Sequence, residues 1–196
     1  MQPALQNDLF DVPLTGPDGF VYQPAFVSPS EESRLLHAMA ALPLQETPYK
    51  EYTARRRTVS FGADYDPGND ESRTVGVMPG FLLPLREKFG AWAGIAPDAF
   101  VQALVSEYRP GTPLGWHRDM PDYESIVGLS LGAPCRMRFR PYRPGEKNRR
   151  EEVLALDLMP RSAYQIRGPA RWGWQHSVAP TEALRYSITF RTGRSR

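Results

Sequence analysis

The stretch Ile126-Val-Gly-Leu-Ser-Leu131 decides the fold. A continuous apolar run of this length between turn residues predicts a β-strand that is buried on both faces. Turn residues separate it from other short segments that we also predict to be strands: Phe100–Tyr108, Met137–Arg140, Val153–Leu158, Tyr164–Arg167 and Arg185–Arg191. Short strands in such a series predict an antiparallel jelly roll, or double-stranded β-helix, over residues 100–196.

Two helices are predicted before these strands. Ser28-Pro-Ser-Glu31 has the form of a capping box with proline at the first helical position. An apolar stripe at helical spacing follows it: Leu35, Leu36, Met39 and Leu42. A second helix is predicted from Pro79 towards Trp92, bent or shortened by Pro84. The fold class is therefore mainly β (α+β), with N-terminal helices packed on a jelly-roll core.

The chain of 196 residues is long enough for one domain with a hydrophobic core, and we expect residues 1–196 to form a single domain. Hydrophobic residues make up 41% and charged residues 23%, as in soluble globular proteins. Residues 1–25, rich in proline and glycine, are predicted to form an extended arm. Residues 45–75 mix aromatic with charged residues, which predicts a hairpin or a substrate lid.

Cysteine content and apolar runs indicate the compartment. Cys135 is the single cysteine, so an internal disulfide is excluded and a reducing environment fits. The first residues show neither the basic nor the apolar region of a signal peptide, and no apolar run approaches the ~20 residues of a membrane helix. We expect a cytoplasmic monomer without membrane contacts.

The positive charges are clustered although the net charge is only +2. Basic residues gather at Arg55-Arg56-Arg57, between Arg136 and Arg150, and at the C-terminus. Such clusters can bind the phosphates of a nucleic acid. The alternative is an ordinary solvated loop.

The segment Gly115-Trp-His117-Arg-Asp119 contains a possible metal-binding pair. Residues i and i+2 of an extended segment point to the same side, so the imidazole and the carboxylate can meet at one point. His176 is the candidate for a third ligand, and two histidines with one carboxylate form the facial triad of non-haem iron(II) oxygenases. The alternatives are a turn histidine bonded to Asp119 and a structural histidine beside Trp174.

The last predicted strand, Arg185-Tyr-Ser-Ile-Thr-Phe-Arg191, alternates polar and apolar residues. One face carries Arg185, Ser187, Thr189 and Arg191. Polar groups inside a small barrel need partners, and the planar fork of arginine suits a carboxylate such as one end of 2-oxoglutarate. The alternative is a surface strand whose polar face meets water.

Several motifs, in order, resemble those of the AlkB-type dioxygenase family. Residues 106–119, SEYRPGTPLGWHRD, resemble the signature N-x-Y-x-x-G-x-x-[IL]-x-x-H-x-D, and residues 185–191 resemble R-x-[NS]-x-T-x-R. Residues 168–176 and 126–132 resemble the run into the second histidine and the buried central strand. The resemblance covers residues 100–196 and is weaker in residues 1–99.

The resemblance implies an enzyme that uses iron(II), 2-oxoglutarate and oxygen. It implies these iron ligands: His117, Asp119 and His176. For 2-oxoglutarate it implies these residues: Tyr108, Arg185, Ser187, Arg191 and Ser106. The last departs from the pattern, because serine stands where the signature has asparagine and reaches less far than an amide.

The resemblance also implies a substrate class, namely N-alkylated nucleobases in single-stranded DNA or RNA. Demethylation of such bases, as in DNA repair, releases succinate, carbon dioxide and formaldehyde. A base that leaves its stack can be held between flat side chains, for which His117 and Tyr65 are candidates. Asp122 is the candidate for contact with an exocyclic amine, and Arg55, Arg56 and Arg57 are candidates for contact with phosphates.

Two other functions are compatible with the sequence. The first is the same oxygenase chemistry on a protein side chain or a small molecule. The second is a non-catalytic jelly-roll binding module, in which the histidines are structural or hold another metal. Salt-dependent binding to a single strand argues against the first, and iron-dependent turnover argues against the second.

Overall fold

The computed structural model describes residues 16–49, 52–66, 71–74, 76–145 and 153–194. In these residues, the helices are α1 (Pro29–Ala40), α2 (Leu83–Ala93) and α3 (Gly168–Trp172), with 3-10 turns at Gly80–Leu82 and Pro97–Ala99. The strands before residue 100 are β1 (Phe20–Gln23), β2 (Gln45–Tyr49), β3 (Tyr52–Asp66) and β4 (Glu71–Thr74). The later strands are β5 (Phe100–Tyr108), β6 (Leu114–His117), β7 (Tyr123–Gly132), β8 (Cys135–Pro141), β9 (Leu154–Leu158), β10 (Ser162–Ile166), β11 (Trp174–Val178) and β12 (Arg185–Gly193).

The strands form two antiparallel sheets. The main sheet has the order β1-β10-β7-β12-β5-β3-β2, with β4 paired to β3, and the minor sheet has the order β6-β11-β8-β9. Apolar residues of both sheets pack together in one cluster, including Ile126 and Ile166 of the main sheet and Phe139 and Val178 of the minor sheet. This pair of facing antiparallel sheets is the predicted jelly roll, and it places the candidate site between the sheets.

The central strand β7 is buried on both faces, as its apolar run predicted. Ile126 packs between the two sheets, while Val127 and Leu129 pack on the other side of the main sheet. The same alternation holds in β12, where Ile188 and Phe190 face the side that carries the helices. The polar residues of β12 therefore face the minor sheet.

Both predicted N-terminal helices are present and cover the outer face of the main sheet. Ser28 caps α1, accepting a hydrogen bond from the Glu31 backbone N–H at 3.2 Å while its own N–H donates to the Glu31 carboxylate at 2.7 Å. The helix α2 begins at Leu83, four residues later than predicted, because Gly80–Leu82 forms a 3-10 turn. Pro84 lies in the first turn of α2, where a helix needs no backbone N–H donor. In the described part of the chain, no helix is long and apolar enough to span a membrane.

The residues before Phe100 contribute more to the sheet than the sequence predicted. Of the predicted arm, residues 1–15 lie outside the described part, and Phe20–Gln23 is a strand that pairs with β10. The segment 45–75 contains the predicted hairpin, β2–β3, and β3 continues along β5 into the main sheet. Its role as a lid stays a prediction. Strands β6 and β11, which carry the two candidate histidine ligands, were not predicted as strands.

Candidate metal and co-substrate site

The three candidate metal ligands converge at one point. His117 ends β6, His176 lies directly opposite it in β11, and Asp119 follows two residues after β6. Their ligand atoms all lie within 4.8 Å of one another, and the centroids of the two imidazole rings are 4.2 Å apart. Two imidazoles and one carboxylate in this arrangement can hold iron(II) on one side and leave the other side open.

Both imidazoles are prepared to bind a metal in their neutral form. His117 Nδ1 lies 2.9 Å from the Gly115 carbonyl oxygen, which can only accept, so Nδ1 carries the proton and Nε2 has a free lone pair. Burial lowers the pKa of His117 below its ordinary value. Burial, and then the neighbouring His117, lower the pKa of His176 to about 3. Neither ring therefore has to lose a proton at neutral pH when a metal binds.

The carboxylate is held in its charged form. Burial alone would raise the pKa of Asp119, but Arg191 and the two histidines together hold that pKa well below its usual range. The Arg191 guanidinium lies 2.7 Å from Asp119 Oδ1 and also donates to Gln102 Oε1 at 2.9 Å. Arg191 was predicted from the sequence to contact 2-oxoglutarate. The structure places its guanidinium on Asp119, a candidate metal ligand, and also in the wall of the cavity, so the contact with 2-oxoglutarate stays a prediction.

A cavity of about 360 Å³, including its open mouth, lies beside the three ligands. Its lining includes residues that the sequence predicted for the metal or the co-substrate: His117, Asp119, His176, Ser106, Tyr108, Ser187 and Arg191. Register explains why residues distant in sequence meet there, because Ser187 of β12 lies opposite Ser106 of β5, and Arg185 lies opposite Tyr108. Apolar side chains complete the wall: Leu104, Leu114, Ile126 and Ile166.

Arg185 is the clearest sign of an anionic ligand. Its side chain is only 1% exposed, and its Nε donates to Ser130 Oγ at 3.0 Å. In the described residues its Nη1 is buried without a hydrogen-bond partner, and the guanidinium makes no ion pair with a carboxylate. A buried charge without a counter-ion is costly, so this group fits one carboxylate of 2-oxoglutarate.

Two arginines lie beside the ring of Tyr108, which lines the cavity. The Arg185 guanidinium carbon is 4.7 Å from its ring centroid, and that of Arg56 is 6.0 Å away. Burial alone would raise the pKa of the Tyr108 hydroxyl, but Arg56 and Arg185 lower it below its ordinary value. A polarised hydroxyl of this kind is a good hydrogen-bond donor to a carboxylate.

The arginines predicted to contact phosphates are divided between two sides of β3. Arg56 lines the cavity, which favours an anion inside the cavity over a backbone phosphate outside it. Arg57 points to the other side of β3, where its side chain is hydrogen-bonded within the protein. It donates to the Leu44 carbonyl at 2.9 Å and to Glu107 at 3.0 Å. Arg55 belongs to β3, but its side chain lies outside the described part.

The other two predicted substrate residues remain untested predictions. Tyr65 also belongs to β3, and its side chain lies outside the described part. Asp122 lies half-buried in the turn before β7 and is not among the residues that line the cavity.

Arg171, which no sequence motif predicted as a site residue, holds the loop that carries Asp119. This arginine of α3 is 2% exposed, and its Nη2 donates to the carbonyl oxygens of Asp119 at 3.1 Å, Met120 and Tyr123 at 3.0 Å. One guanidinium thus fixes the backbone on both sides of the turn that follows the metal ligand. Nothing in the sequence around Arg171 signals this contact, because it depends on where α3 packs.

Tyr164 was placed in a predicted strand but was not recognised as a cavity residue. It is buried, and burial raises the pKa of its hydroxyl well above the ordinary value. A Cβ added at Gly128 would collide with the Tyr164 ring, so glycine in the apolar run of β7 makes room for this side chain. The glycine within a buried strand was the available signal.

Comparison with known proteins identifies the family. The family model of the 2OG-Fe(II) oxygenase superfamily matches residues 19–191. The chain belongs to this family. It is an AlkB-type 2-oxoglutarate-dependent dioxygenase that uses iron(II), 2-oxoglutarate and oxygen, which confirms the predicted family, enzyme class and cofactors.

Two curated relatives match parts of the chain. The chain is 30% identical over 190 residues to an Alkylated DNA repair protein ALKBH8 homolog of Arabidopsis thaliana, covering 87% of this chain and 53% of the relative. It is 35% identical over 103 residues to the uncharacterized protein L905 of Acanthamoeba polyphaga mimivirus, covering 46% of this chain and 47% of the relative. The chain therefore spans about half the length of the curated relatives it matches.

The two structures share the fold at low sequence identity. One is the structure of OsALKBH1, with TM-score 0.66, 15% identity, and coverage of 89% of this chain and 98% of the other. The second is an oxidoreductase of the 2OG-Fe(II) oxygenase family from Burkholderia pseudomallei, with TM-score 0.62, 18% identity, and coverage of 91% and 86%. These likenesses confirm the predicted jelly-roll fold.

Proposed function

We propose that this dioxygenase demethylates N-alkylated nucleobases in DNA or RNA. The observation that carries the proposal is the cavity itself, in which the metal triad, Tyr108 and an apolar wall share one space. Arg185, buried without a counter-ion in the described residues, is not among the lining residues, but its guanidinium carbon lies 4.7 Å from the ring centroid of Tyr108, which is. The Arabidopsis relative, 30% identical over most of this chain, is named as an alkylated DNA repair protein, which supports the choice of substrate class.

The proposed demethylation needs no reactants other than the methylated base and the family's iron(II), 2-oxoglutarate and oxygen. Bound iron(II) and 2-oxoglutarate supply the oxidation of a substrate C–H bond, coupled to the conversion of oxygen and 2-oxoglutarate to succinate and carbon dioxide. One oxygen atom enters succinate and the other enters the N-methyl group as a hydroxyl. The N-hydroxymethyl product then breaks its C–N bond, releasing formaldehyde and the unmodified base.

The residues of the chain position the reacting groups. Arg185 and Tyr108, which contact each other with 4.7 Å between the guanidinium carbon and the ring centroid, would bind and orient the distal carboxylate of 2-oxoglutarate. His117, Asp119 and His176 would hold the metal, and Arg191 and Arg171 hold Asp119 in place. Leu114 and Ile126 give the cavity an apolar wall beside the candidate metal ligands.

The decisive experiment uses single-stranded oligonucleotides that carry 1-methyladenine or 3-methylcytosine. Protein loaded anaerobically with iron(II) and 2-oxoglutarate receives oxygen, and both succinate and the mass of the oligonucleotide are measured. Two histidine variants are compared: His117→Ala removes a metal ligand, and His37→Ala changes an exposed histidine on α1. We expect the methyl group to be lost with the wild type and with His37→Ala, and to be retained with His117→Ala.

The other outcomes separate the alternative functions. Succinate without loss of the methyl group, on DNA and on RNA, would move the substrate to a protein side chain or a small molecule. Tight metal binding with no succinate under any condition would indicate a non-catalytic binding module.

A further inference from the structure

The side chain of Tyr164 reaches into the cavity from a strand that carries none of the predicted site residues. Tyr164 of β10 pairs with Gly128 of β7, and Gly128 in turn pairs with Thr189 of β12. The nearest atoms that a Cβ at Gly128 would meet are Cζ, the hydroxyl oxygen and Cε1 of Tyr164. The phenol therefore leans across β7, and its hydroxyl end is directed towards β12 on the inner face of the main sheet.

The ring of Tyr164 is held in place, while its hydroxyl has no partner in the described part of the chain. Phe20 stacks on the ring, with 6.4 Å between the ring centroids and 22° between the planes. Tyr164 is only 8% exposed and lines the cavity, and no hydrogen bond to its hydroxyl occurs among the described residues. A polar group that is buried without a partner destabilises the folded protein, and a ligand that accepts its hydrogen bond removes this penalty.

The hydroxyl lies between the two places that fit the ends of 2-oxoglutarate. Along the inner face of β12, Thr189 comes between Arg185 and Arg191, and the phenol crosses β7 at the level of Thr189. Arg185 lacks a counter-ion in the described residues, and Arg191 is bonded to the candidate metal ligand Asp119. A dicarboxylate that extends from Arg185 to a metal at Asp119 therefore passes the Tyr164 hydroxyl.

The Tyr164 hydroxyl is a hydrogen-bond donor at neutral pH. Burial raises its pKa well above the ordinary value, so the group keeps its proton. The charges of Arg185, Asp119 and Arg191 also act on this pKa, so the hydroxyl lies within electrostatic reach of both places. A hydrogen bond to an ionised acceptor is roughly twice as strong as one between neutral groups, which favours an anionic ligand as the partner.

We propose that Tyr164 binds 2-oxoglutarate, with its hydroxyl donating a hydrogen bond to an oxygen of the oxo-acid end, the end that faces the metal ligands. Arg185 and Tyr108 hold the other end, so the main sheet contacts the co-substrate along its whole length. Gly128 is a positioning residue in this arrangement, because any side chain there would displace the phenol. The inference goes beyond the proposed function and does not depend on it, since the co-substrate is the same whichever substrate is oxidised.

The variant Tyr164→Phe tests the hydroxyl alone, because it keeps the ring that forms the cavity wall. Three quantities are measured in the absence of oxygen and of nucleic acid: the affinity for manganese(II), the affinity of the manganese-loaded protein for 2-oxoglutarate, and the melting temperature without either ligand. Tyr142→Phe is the matched control. It removes the hydroxyl of an exposed tyrosine outside the cavity and keeps the ring on which Arg118 stacks.

We expect Tyr164→Phe to bind 2-oxoglutarate about ten- to a hundredfold more weakly, which is the range for a hydrogen bond to a charged group. Its affinity for manganese(II) should equal that of the wild type, because the hydroxyl contacts the co-substrate and not the metal ligands. Its melting temperature without ligands should be equal to or above that of the wild type, since the variant loses a buried hydroxyl that has no partner. Tyr142→Phe should match the wild type in all three quantities.

Three results would overturn the inference. Wild-type affinity of Tyr164→Phe for 2-oxoglutarate would mean that the hydroxyl does not contact the co-substrate. A lower melting temperature without ligands would mean that the hydroxyl supports the fold, and a lower affinity for manganese(II) would mean that it supports the metal site.

This inference and the proposed function fail in different ways. Demethylation by the wild type, with wild-type 2-oxoglutarate affinity in Tyr164→Phe, would leave the proposed function intact and refute the role of Tyr164. Weaker 2-oxoglutarate binding by that variant, with no demethylation by the wild type, would support the role of Tyr164 and refute the methylated-base substrate.

Discussion

Arg191 donates two hydrogen bonds to the same oxygen of Asp119, from Nε at 2.9 Å and from Nη2 at 2.7 Å to Oδ1. The other oxygen, Oδ2, is thereby turned towards His176, whose Nε2 lies 3.5 Å away. A guanidinium that fixes a metal ligand in this way typically contributes ten- to a hundredfold to metal affinity. We expect Arg191→Lys, which keeps the charge but loses the fork, to weaken iron(II) or manganese(II) binding by roughly that factor in anaerobic calorimetry.

Arg194→Lys is the matched control for this prediction, because Arg194 is exposed and lies 3.9 Å from Glu124 at the surface. It should bind metal like the wild type. Unchanged metal affinity in Arg191→Lys, together with a raised KM for 2-oxoglutarate, would show that Arg191 serves the co-substrate, as its sequence motif predicted, and not the metal ligand.

Arg185 should matter more to 2-oxoglutarate binding than to the stability of the free protein. Because its buried Nη1 has no partner among the described residues, its buried charge destabilises the folded protein until a carboxylate binds. We expect Arg185→Met, which fills a similar volume, to melt at or above the wild-type temperature without co-substrate. The rise in melting temperature that 2-oxoglutarate produces in the metal-loaded wild type should disappear in the variant.

A large loss of stability in Arg185→Met without co-substrate would contradict this account, because it would mean that the guanidinium already has adequate partners. Retention of the 2-oxoglutarate-dependent rise would mean that the distal carboxylate binds elsewhere. Ser187→Ala provides a comparison, since it removes a smaller polar group from the same cavity wall. It should reduce the rise without abolishing it.

Local pattern sufficed to predict that His117 and Asp119, two of the candidate metal ligands, lie side by side, and that β12 has a polar side. His117 and Asp119 are two residues apart, and alternation in Arg185–Arg191 places its polar side chains on one face whatever the neighbours are. Arg171 and the position of Arg56 required tertiary structure, because neither local charge nor spacing says where α3 packs or which side of β3 meets the cavity.

The fold also divides into features that local sequence predicts and features that depend on distant partners. The apolar run of β7 and the capping box of α1 are local signals, and both were confirmed. Phe20–Gln23 joins the main sheet through β10, a strand more than a hundred residues later in the chain, and a four-residue segment carries no sign of so distant a partner.

The contacts of Arg171 predict that it stabilises the loop after the metal ligand. Replacement by methionine keeps most of the side-chain volume and leaves the carbonyls of Asp119, Met120 and Tyr123 without this charged donor. We expect Arg171→Met to lower the free energy of unfolding by about 2–3 kcal/mol. Amide hydrogen exchange in residues 119–123 should also become faster.

Arg167→Met is the control, because Arg167 is exposed at the start of α3 and its side chain holds no loop carbonyl in the described residues. Both readouts should stay at the wild-type values in this variant. Faster exchange throughout the protein in Arg171→Met, with no excess in residues 119–123, would show a general loss of stability and not the loss of a local contact.

Glu31 should make the stability of the protein sensitive to acid. Its hydrogen bond from the Ser28 backbone N–H and its contact with Lys88, at 2.9 Å, lower its pKa from the ordinary value of 4.5 to about 2. Since the folded state has the lower pKa, the ionised carboxylate contributes its full stabilisation above pH 4.5 and loses it as the pH falls towards 2. Glu31→Gln should therefore melt below the wild type at pH 6, and the difference should shrink steadily between pH 4.5 and 2.

Glu87→Gln, at an exposed position on α2, should show no such pH-dependent difference. A gap between wild type and Glu31→Gln that stays constant down to pH 2 would mean that the capping box does not depend on the charge of Glu31.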